Sequence, residues 1–119
     1  MTLFIVEDDN IQSLILEMMV SKLGFDCKGK SDNGKHAVEE ILQIKPDIIL
    51  MDVMLKDTYD GIDVARIIKS HYDPVIIYVS GNSDGIHKNR AEKYGYHDFI
   101  AKPVSIHKLK QAFDTIGEN

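Results

Sequence analysis

Five residues able to do polar chemistry stand just after, or at the end of, apolar runs in this chain. Glu7 and Asp8 follow Leu3-Phe4-Ile5-Val6, Asp52 follows Ile48-Ile49-Leu50-Met51, Ser80 follows Val75 to Val79, and Lys102 follows Asp98-Phe99-Ile100-Ala101. Runs of this length and composition read as strands covered on both faces, so each of these residues sits at a strand's carboxyl end. In an open parallel α/β sheet that end borders the crevice where ligands bind. Three carboxylates brought together there repel one another and raise one another's pKa unless something neutralises them. A hard divalent cation does so, and Mg²⁺ takes one or two carboxylates, keeps several waters and binds a substrate phosphate. Lys102 supplies a mobile point charge for an acid or a phosphate oxygen, and Ser80 a hydroxyl donor. A carboxylate in that company is equipped to attack phosphorus and form an aspartyl phosphate.

The segments between these tips must carry the positioning elements. After strand one, Asp9 or Asn10 caps a helix on which Ile11, Leu14, Ile15 and Met18 recur at helical spacing, with Gly24 just beyond its end. Phe25 to Lys30 alternates apolar or small with charged residues, as an edge strand exposed on one side does. Ser31-Asp32-Asn33-Gly34 starts a second helix with Ala37, Val38, Ile41 and Leu42, which Pro46 ends. Asp60-Gly61 opens a third helix with Ile62, Ala65 and Ile68 inward, finished before Asp73-Pro74. Ser80-Gly81-Asn82-Ser83 is the small polar exit loop of strand four. A fourth helix, from about Asp84 to Tyr94, has a thin apolar face made mainly of Ile86, Ala91 and Tyr94, and so should dock weakly. Gly95 stops it, and Ser105 caps a fifth helix with Ile106, Leu109, Phe113 and Ile116 inward.

Five βα units without a linker or repeat, spanning 1–119 as one domain, predict an α/β fold: a (βα)5 flavodoxin-like three-layer sandwich with parallel strand order 2-1-3-4-5. The apolar fraction of 44% and charged fraction of 28% are those of an ordinary globular protein. A net charge of −5 offers no basic footprint for direct contact with nucleic acid or an anionic membrane. No apolar run approaches a bilayer span, and Glu7-Asp8-Asp9 interrupts the first one, so a cytoplasmic location is expected. The lone Cys27 has no disulfide partner and reads as core filler.

The Val-Glu-Asp-Asp ending of strand one, Met51-Asp52, Ser80-Gly81 and Lys102-Pro103 follow one another along the whole chain in an order and spacing that closely resembles the receiver domain of two-component response regulators. The resemblance implies that Asp52 is the phosphoacceptor, that Asp8 is a direct ligand of Mg²⁺ (or Mn²⁺) with Glu7 acting mostly through water, and that the backbone carbonyl of Met54 is a further ligand. It implies that Ser80 binds a phosphoryl oxygen, that Lys102 pairs with the phosphate, that Phe99 is the switch aromatic, and that Lys102-Pro103 is a cis peptide. One departure stands out: Leu55-Lys56-Asp57-Thr58-Tyr59 replaces the family's usual Met-Pro pair and is one residue longer. Loop entropy rises slowly with length, so the core residues should stay in place.

Each of these residues also has a plainer reading. Glu7-Asp8-Asp9 could be a solvated loop and cap, and Asp9 is expected to be only a cap. Asp52 alone could be a strand-end acid bonded to nearby amides, Ser80 a turn serine, Lys102 a surface lysine and Phe99 a core residue. His87, His97 and His107 fall on different elements without zinc-type spacing and read as surface residues.

By this resemblance a sensor histidine kinase or histidine phosphotransfer protein donates to Asp52. Ser80 and Phe99 then bias a protein-binding face made by the fourth helix, fifth strand and fifth helix. The resemblance also implies that the chain is no enzyme in the ordinary sense and catalyses only its own phosphorylation and dephosphorylation. Met54 and Asn82 flank the route of attacking water, and neither is an acid or base, so slow hydrolysis is expected. Two other readings compete. A phosphorylation-independent binding module would need a defective constellation. A haloacid-dehalogenase-type phosphatase would need an Asp where this chain has Met54.

Overall fold

The computed structural model describes residues 1–56, 58–81 and 85–117. Strands and helices alternate as β1 (Thr2–Val6), α1 (Asn10–Lys22), β2 (Asp26–Ser31), α2 (Gly34–Ile44), β3 (Ile48–Asp52), α3 (Gly61–Lys69), β4 (Val75–Ser80), α4 (Gly85–Tyr94), β5 (Asp98–Ala101) and α5 (Ile106–Asp114). The strands form one parallel sheet in the order β2-β1-β3-β4-β5. Chain order therefore reverses between β1 and β3, which opens a crevice beyond their carboxyl ends. Register lines up the tips: Val6 lies opposite Met51, Asp52 opposite Val79, and Ser80 opposite Ala101.

Because successive strand side chains point to opposite faces, the apolar runs divide into two cores. Leu3, Ile5, Ile48, Leu50 and Ile77 face α1 and α5, packing against Leu16, Val20, Leu109 and Phe113. Phe4, Val6, Ile49, Met51 and Tyr78 face α2, α3 and α4, packing against Ile41, Ile62, Ile68 and Ala91. Strand β2, at the edge, alternates exposed Asp26, Lys28 and Lys30 with partly covered Cys27 and Gly29, as its sequence predicts. Local capping agrees with the sequence as well. Asp9 accepts from the N–H of Ile11 and Gln12, Asn33 from that of His36, and Ser105 from that of Lys108.

Helix α1 departs from its expected orientation. Ile11, Leu14, Ile15 and Met18 are all exposed, Ile11 by 72%, whereas Ser13, Leu16 and Val20 are buried. This helix is apolar around most of its circumference, so two stripes of helical spacing compete, and the sheet takes the narrower one. The α4 expectation needs correcting too. Described from Gly85 onward, with Asn82, Ser83 and Asp84 outside the described residues, it buries Ala91 and half-buries Tyr94, but Ile86 is 72% exposed. In α5, Ile106 is likewise more exposed than expected, while Leu109 and Phe113 are buried.

What α4 lacks in apolar contact it makes up in charge. Arg90 Nη1 lies 2.7 Å from Asp60 Oδ2 and Nη2 lies 3.4 Å from Asp63 Oδ1, both on the first turn of α3. At the other end of α3, Lys69 Nζ donates to the carbonyl oxygens of Tyr94 and Gly95 at 3.3 Å. His97, expected on the surface, is half-buried and bonds α5, its Nε2 lying 2.8 Å from both the Ala112 carbonyl oxygen and the Thr115 hydroxyl.

Candidate phosphoacceptor site

Strand β3 delivers Asp52 to the crevice with its side chain buried. Its Oδ1 accepts from the backbone N–H of Met54 at 3.2 Å, and its Oδ2 accepts from Lys102 Nζ at 3.2 Å. Strand β1 delivers Glu7, also buried, whose Oε1 accepts from Lys102 Nζ at 2.8 Å and whose Oε2 accepts from the N–H of Asp9 at 3.2 Å. The two strands thus meet through one ammonium. Asp8 is half-buried, and its Oδ2, shielded from solvent, has no protein hydrogen-bond partner among the described residues. One carboxylate oxygen from each of Glu7, Asp8 and Asp52 lies within 4.8 Å of the other two.

The electrostatics follow from this crowding. Burial pushes the Glu7 carboxyl above its ordinary range and Asp52 pushes it further, against the opposing pull of Lys102. Asp8 is raised by burial and by the neighbouring Glu7, with Lys56 opposing. For Lys102, burial acts to lower the pKa, but Glu7 and Asp52 outweigh it and hold the ammonium above its usual range. A single lysine for three acids leaves the cluster negative, and the orphaned Asp8 oxygen is a ready oxygen ligand. These residues fit a hard, oxygen-seeking divalent cation.

The remaining expected site residues lie around this centre. Ser80 ends β4 wholly buried, and its carbonyl accepts the Lys102 N–H at 2.9 Å, fastening the strand-four tip to the lysine's backbone. Lys102–Pro103 is a cis peptide, as the resemblance implied. The Met54 side chain is exposed, while its backbone turns in toward Asp52. Phe99 is half-buried, its ring centroid 5.6 Å from Tyr78 and 5.9 Å from Tyr96. In the longer loop, Leu55 is buried and Tyr59 packs on the core, while Asp57 lies outside the described residues, as does Asn82 beside the exit of β4.

A family model, that of the response regulator receiver domain, matches residues 3–114. The chain belongs to this family. It is 30% identical over 115 residues to the chemotaxis protein CheY of Thermotoga maritima, covering 96% of this chain and 95% of that protein. The signal receiver domain of a modulated diguanylate cyclase from Desulfovibrio desulfuricans G20 superposes with a TM-score of 0.89 at 30% identity, over 96% of this chain and 90% of that one. A CheY from Borrelia burgdorferi, solved in a CheX-CheY-BeF3-Mg²⁺ complex, shares the fold with a TM-score of 0.91 at 21% identity, over 99% of this chain and 90% of that one. No helix among the described residues of this receiver domain is long and apolar enough to cross a membrane.

Three features of this receiver domain were not read from the sequence. The first is a groove of about 370 Å³ beside the site, between α1 and the segment after β5, lined by Ile15, Leu16, Lys102, Pro103 and Val104. The second is the Arg90 contact to α3, thirty residues away in the chain. The third is the hydroxyl of Tyr78, wholly buried and without a protein hydrogen-bond partner among the described residues. Leaving such a group unpaired costs about 1–3 kcal/mol. Burial, then the charge of Asp60, drives its pKa far above the ordinary tyrosine value, and Arg90 opposes. A tyrosine amid the aliphatic residues of Val75 to Val79 was the visible signal for it.

Proposed function

We propose that this receiver domain accepts a phosphoryl group on Asp52 from a phosphohistidine, on a sensor histidine kinase or a histidine phosphotransfer protein, and relays the change to a protein-binding face. The observation that carries this reading is the buried Asp52 carboxylate, bonded to Lys102 and gathered with Glu7 and Asp8 within 4.8 Å. Asp52 attacks phosphorus as the donor's P–N bond breaks, and the imidazole leaves with the electron pair. Lys102, now shared by two carboxylates, is placed to follow the incoming charge, and Ser80 ends the adjacent strand where a phosphoryl oxygen would arrive. Mg²⁺ or Mn²⁺ would be held by Asp8 and Asp52, with the Met54 carbonyl as a further ligand and Glu7 acting mostly through water. When bound, it neutralises charge on the transferring group.

The donor's approach has a counterpart on the surface. The exposed stripe of Ile11, Leu14, Ile15 and Met18 runs into the apolar groove whose other wall includes Lys102. An amphipathic helix carrying the phosphohistidine suits that stripe, since its apolar anchors fall at matching helical spacing and it ends at the site. Output is assigned to the opposite shoulder, where α4, β5 and α5 meet and half-buried Phe99 packs against Tyr96. A phosphorylation-independent binding module is not favoured, because the acids and the lysine converge instead of diverging.

Incubation with acetyl phosphate and Mg²⁺, followed by intact-mass measurement, tests the reading. One phosphoryl group on the wild type and none on Asp52→Ala is the expected result. Equal labelling of both proteins, or of neither, rejects it.

A further inference from the structure

The first turn of α3 touches the phosphoacceptor strand on one side and α4 on the other. Asp60 and Asp63 form a reciprocal capping box there: Asp60 Oδ1 accepts the N–H of Asp63 at 2.9 Å, and Asp63 Oδ2 accepts that of Asp60 at 3.1 Å. Between them, Gly61 donates its N–H to the carbonyl of Val53 at 2.8 Å and lies against the carbonyl oxygen of Asp52. The second oxygen of Asp60, Oδ2, is left for Arg90 of α4 at 2.7 Å. The cap and the Arg90 pair thus use different oxygens, and the pair can open while the cap stays closed.

Arg90 at one end and the Lys69 bonds at the other are polar contacts that hold α4, whose only side chain fully buried among the described residues is Ala91. In the same core cluster as Ala91 lies Tyr78, whose hydroxyl is wholly buried and has no protein hydrogen-bond partner among the described residues. Both charges of the pair act on that hydroxyl. The resting arrangement therefore holds a buried donor without a protein partner among the described residues in the core that α4 covers with Ala91, while the Asp60 oxygen at the seam between α3 and α4 is taken by Arg90.

We propose that the Asp60–Arg90 pair is a latch that keeps α4 in its resting place, and that the Tyr78 hydroxyl replaces Arg90 on Asp60 Oδ2 when α4 is displaced. This rests on the reading of Asp52 as the phosphoacceptor. It supplies a route from acceptor to α4 through the first turn of α3, separate from the route through Ser80 and Phe99. Removing the arginine weakens the resting state; removing the hydroxyl relieves the resting state of an unpaired donor and takes a bond from the displaced state, and both of its effects favour rest. By linkage, a phosphoryl mimic must then bind the two variants with opposite changes in affinity.

The test is titration of beryllofluoride with Mg²⁺ into the wild type, Arg90→Gln and Tyr78→Phe, following the amide resonances of Gly85 to Tyr94. Arg90 is 43% exposed and Tyr78→Phe keeps the ring, so both variants should retain the fold. Arg90→Gln should bind about fivefold more tightly and Tyr78→Phe about fivefold more weakly than the wild type. Shifts in the same direction, or no shift in either variant while the wild type binds, overturn the latch. Amide hydrogen exchange on the unliganded proteins gives a second reading that needs no ligand: Arg90→Gln should accelerate exchange in α4 and leave α5 unchanged. Unchanged α4 exchange overturns the latch. Failure of the wild type to bind beryllofluoride instead rejects the phosphoacceptor reading, and the exchange result then judges the latch alone.

Discussion

Lys102 Nζ is closer to Glu7 than to Asp52, 2.8 Å against 3.2 Å, so the lysine joins the first and third strand tips and does not belong to Asp52 alone. Both acids are nearly inaccessible to solvent, and taking away their shared cation leaves two buried carboxylates facing each other. Breaking a buried ion pair by removing one partner is strongly destabilising. Lys102→Met should lower unfolding free energy by about 3 kcal/mol near neutral pH. Because the Glu7 pKa is raised by burial, the loss should shrink as pH falls through mildly acidic values and Glu7 takes up a proton. Added Mg²⁺ should recover part of it. Urea unfolding at several pH values, with and without Mg²⁺, measures all three effects, and a loss independent of both would contradict the shared-cation account.

Gly61 stands where no other residue fits. A Cβ there would collide with the carbonyl oxygen of Asp52 and press on the side chain of Met51, so α3 or the end of β3 would have to move. Gly61→Ala should cost about 1–3 kcal/mol, as overpacking of a core does. It should also slow acetyl phosphate labelling more than Gly24→Ala, which is strained by its φ of 88° but meets nothing within 4 Å and lies past the far end of α1. Equal labelling rates for the two variants would show that the contact does not position the acceptor.

The fold was legible because β1, β3, β4 and β5 carry apolar runs that stop at polar or charged residues, β2 alternates as an edge strand does, and the helix caps at Asp9, Asn33, Asp60 and Ser105 behave locally. The convergence of the candidate site residues was legible for the same reason, since they stand at strand tips and parallel topology brings Glu7, Asp52 and Lys102 together. Orientation on a helix was harder to read. In α1 the exposed stripe of Ile11, Leu14, Ile15 and Met18 is more apolar than the buried stripe of Ser13, Leu16 and Val20, and periodicity cannot say which one faces the sheet. In α4 the sequence showed few apolar residues, and could not show that Arg90 would meet Asp60 and Lys69 would reach the Tyr94 carbonyl. Those are long-range charge contacts with no local signature.

The exposed face of α1 predicts a separation of donors. Ile15→Gln with Met18→Gln removes apolar surface that the fold leaves in solvent, and should change stability by less than about 0.5 kcal/mol for each site. Labelling by acetyl phosphate, which needs no docking surface, should be unaffected. Transfer from a phosphohistidine-bearing partner should slow by about tenfold or more, as loss of two central anchors implies. Equal slowing of both donors would place these side chains in the chemistry and not in docking.

Tyr72 and Tyr78, the tyrosines raised furthest, dominate the alkaline limit, with Tyr96 raised less. Burial, with Asp47 adding to it, pushes the Tyr72 phenol up to about 12, while its hydroxyl donates to the Pro46 carbonyl at 2.9 Å; Tyr78 is raised further by burial and Asp60. In the unfolded chain both ionise near 10.0, so above that pH the unfolded state has released protons that the native state retains. Stability therefore falls as pH rises, by about 1.4 kcal/mol per pH unit for each group, until the native phenol itself ionises. Urea midpoints measured from pH 9 to about 12 should bend downward near the reference tyrosine pKa, and Tyr78→Phe should flatten the slope by about half. An unchanged slope in that variant would mean that Tyr78 ionises as freely in the fold as outside it.

Met54 should influence how long a phosphoryl group on Asp52 lasts. Its backbone N–H holds Asp52 Oδ1 at 3.2 Å, while its side chain, 52% exposed, stands at the mouth of the crevice without an acid, base or amide to orient water. Two positions beyond Asp52, Met54 is expected to flank the route of a water attacking an acyl phosphate there, and its thioether has no acid or base to lower the barrier to attack. The phosphorylated protein should therefore hydrolyse slowly by itself, and Met54→Glu, which adds a group able to orient or deprotonate water, should accelerate loss of phosphate by about tenfold or more. The backbone donor is kept in that variant, so phosphorylation itself should persist. Following the intact mass after rapid removal of acetyl phosphate measures both rates. A wild-type lifetime of seconds, or a Met54→Glu lifetime equal to it, would show that hydrolysis is controlled elsewhere in the crevice.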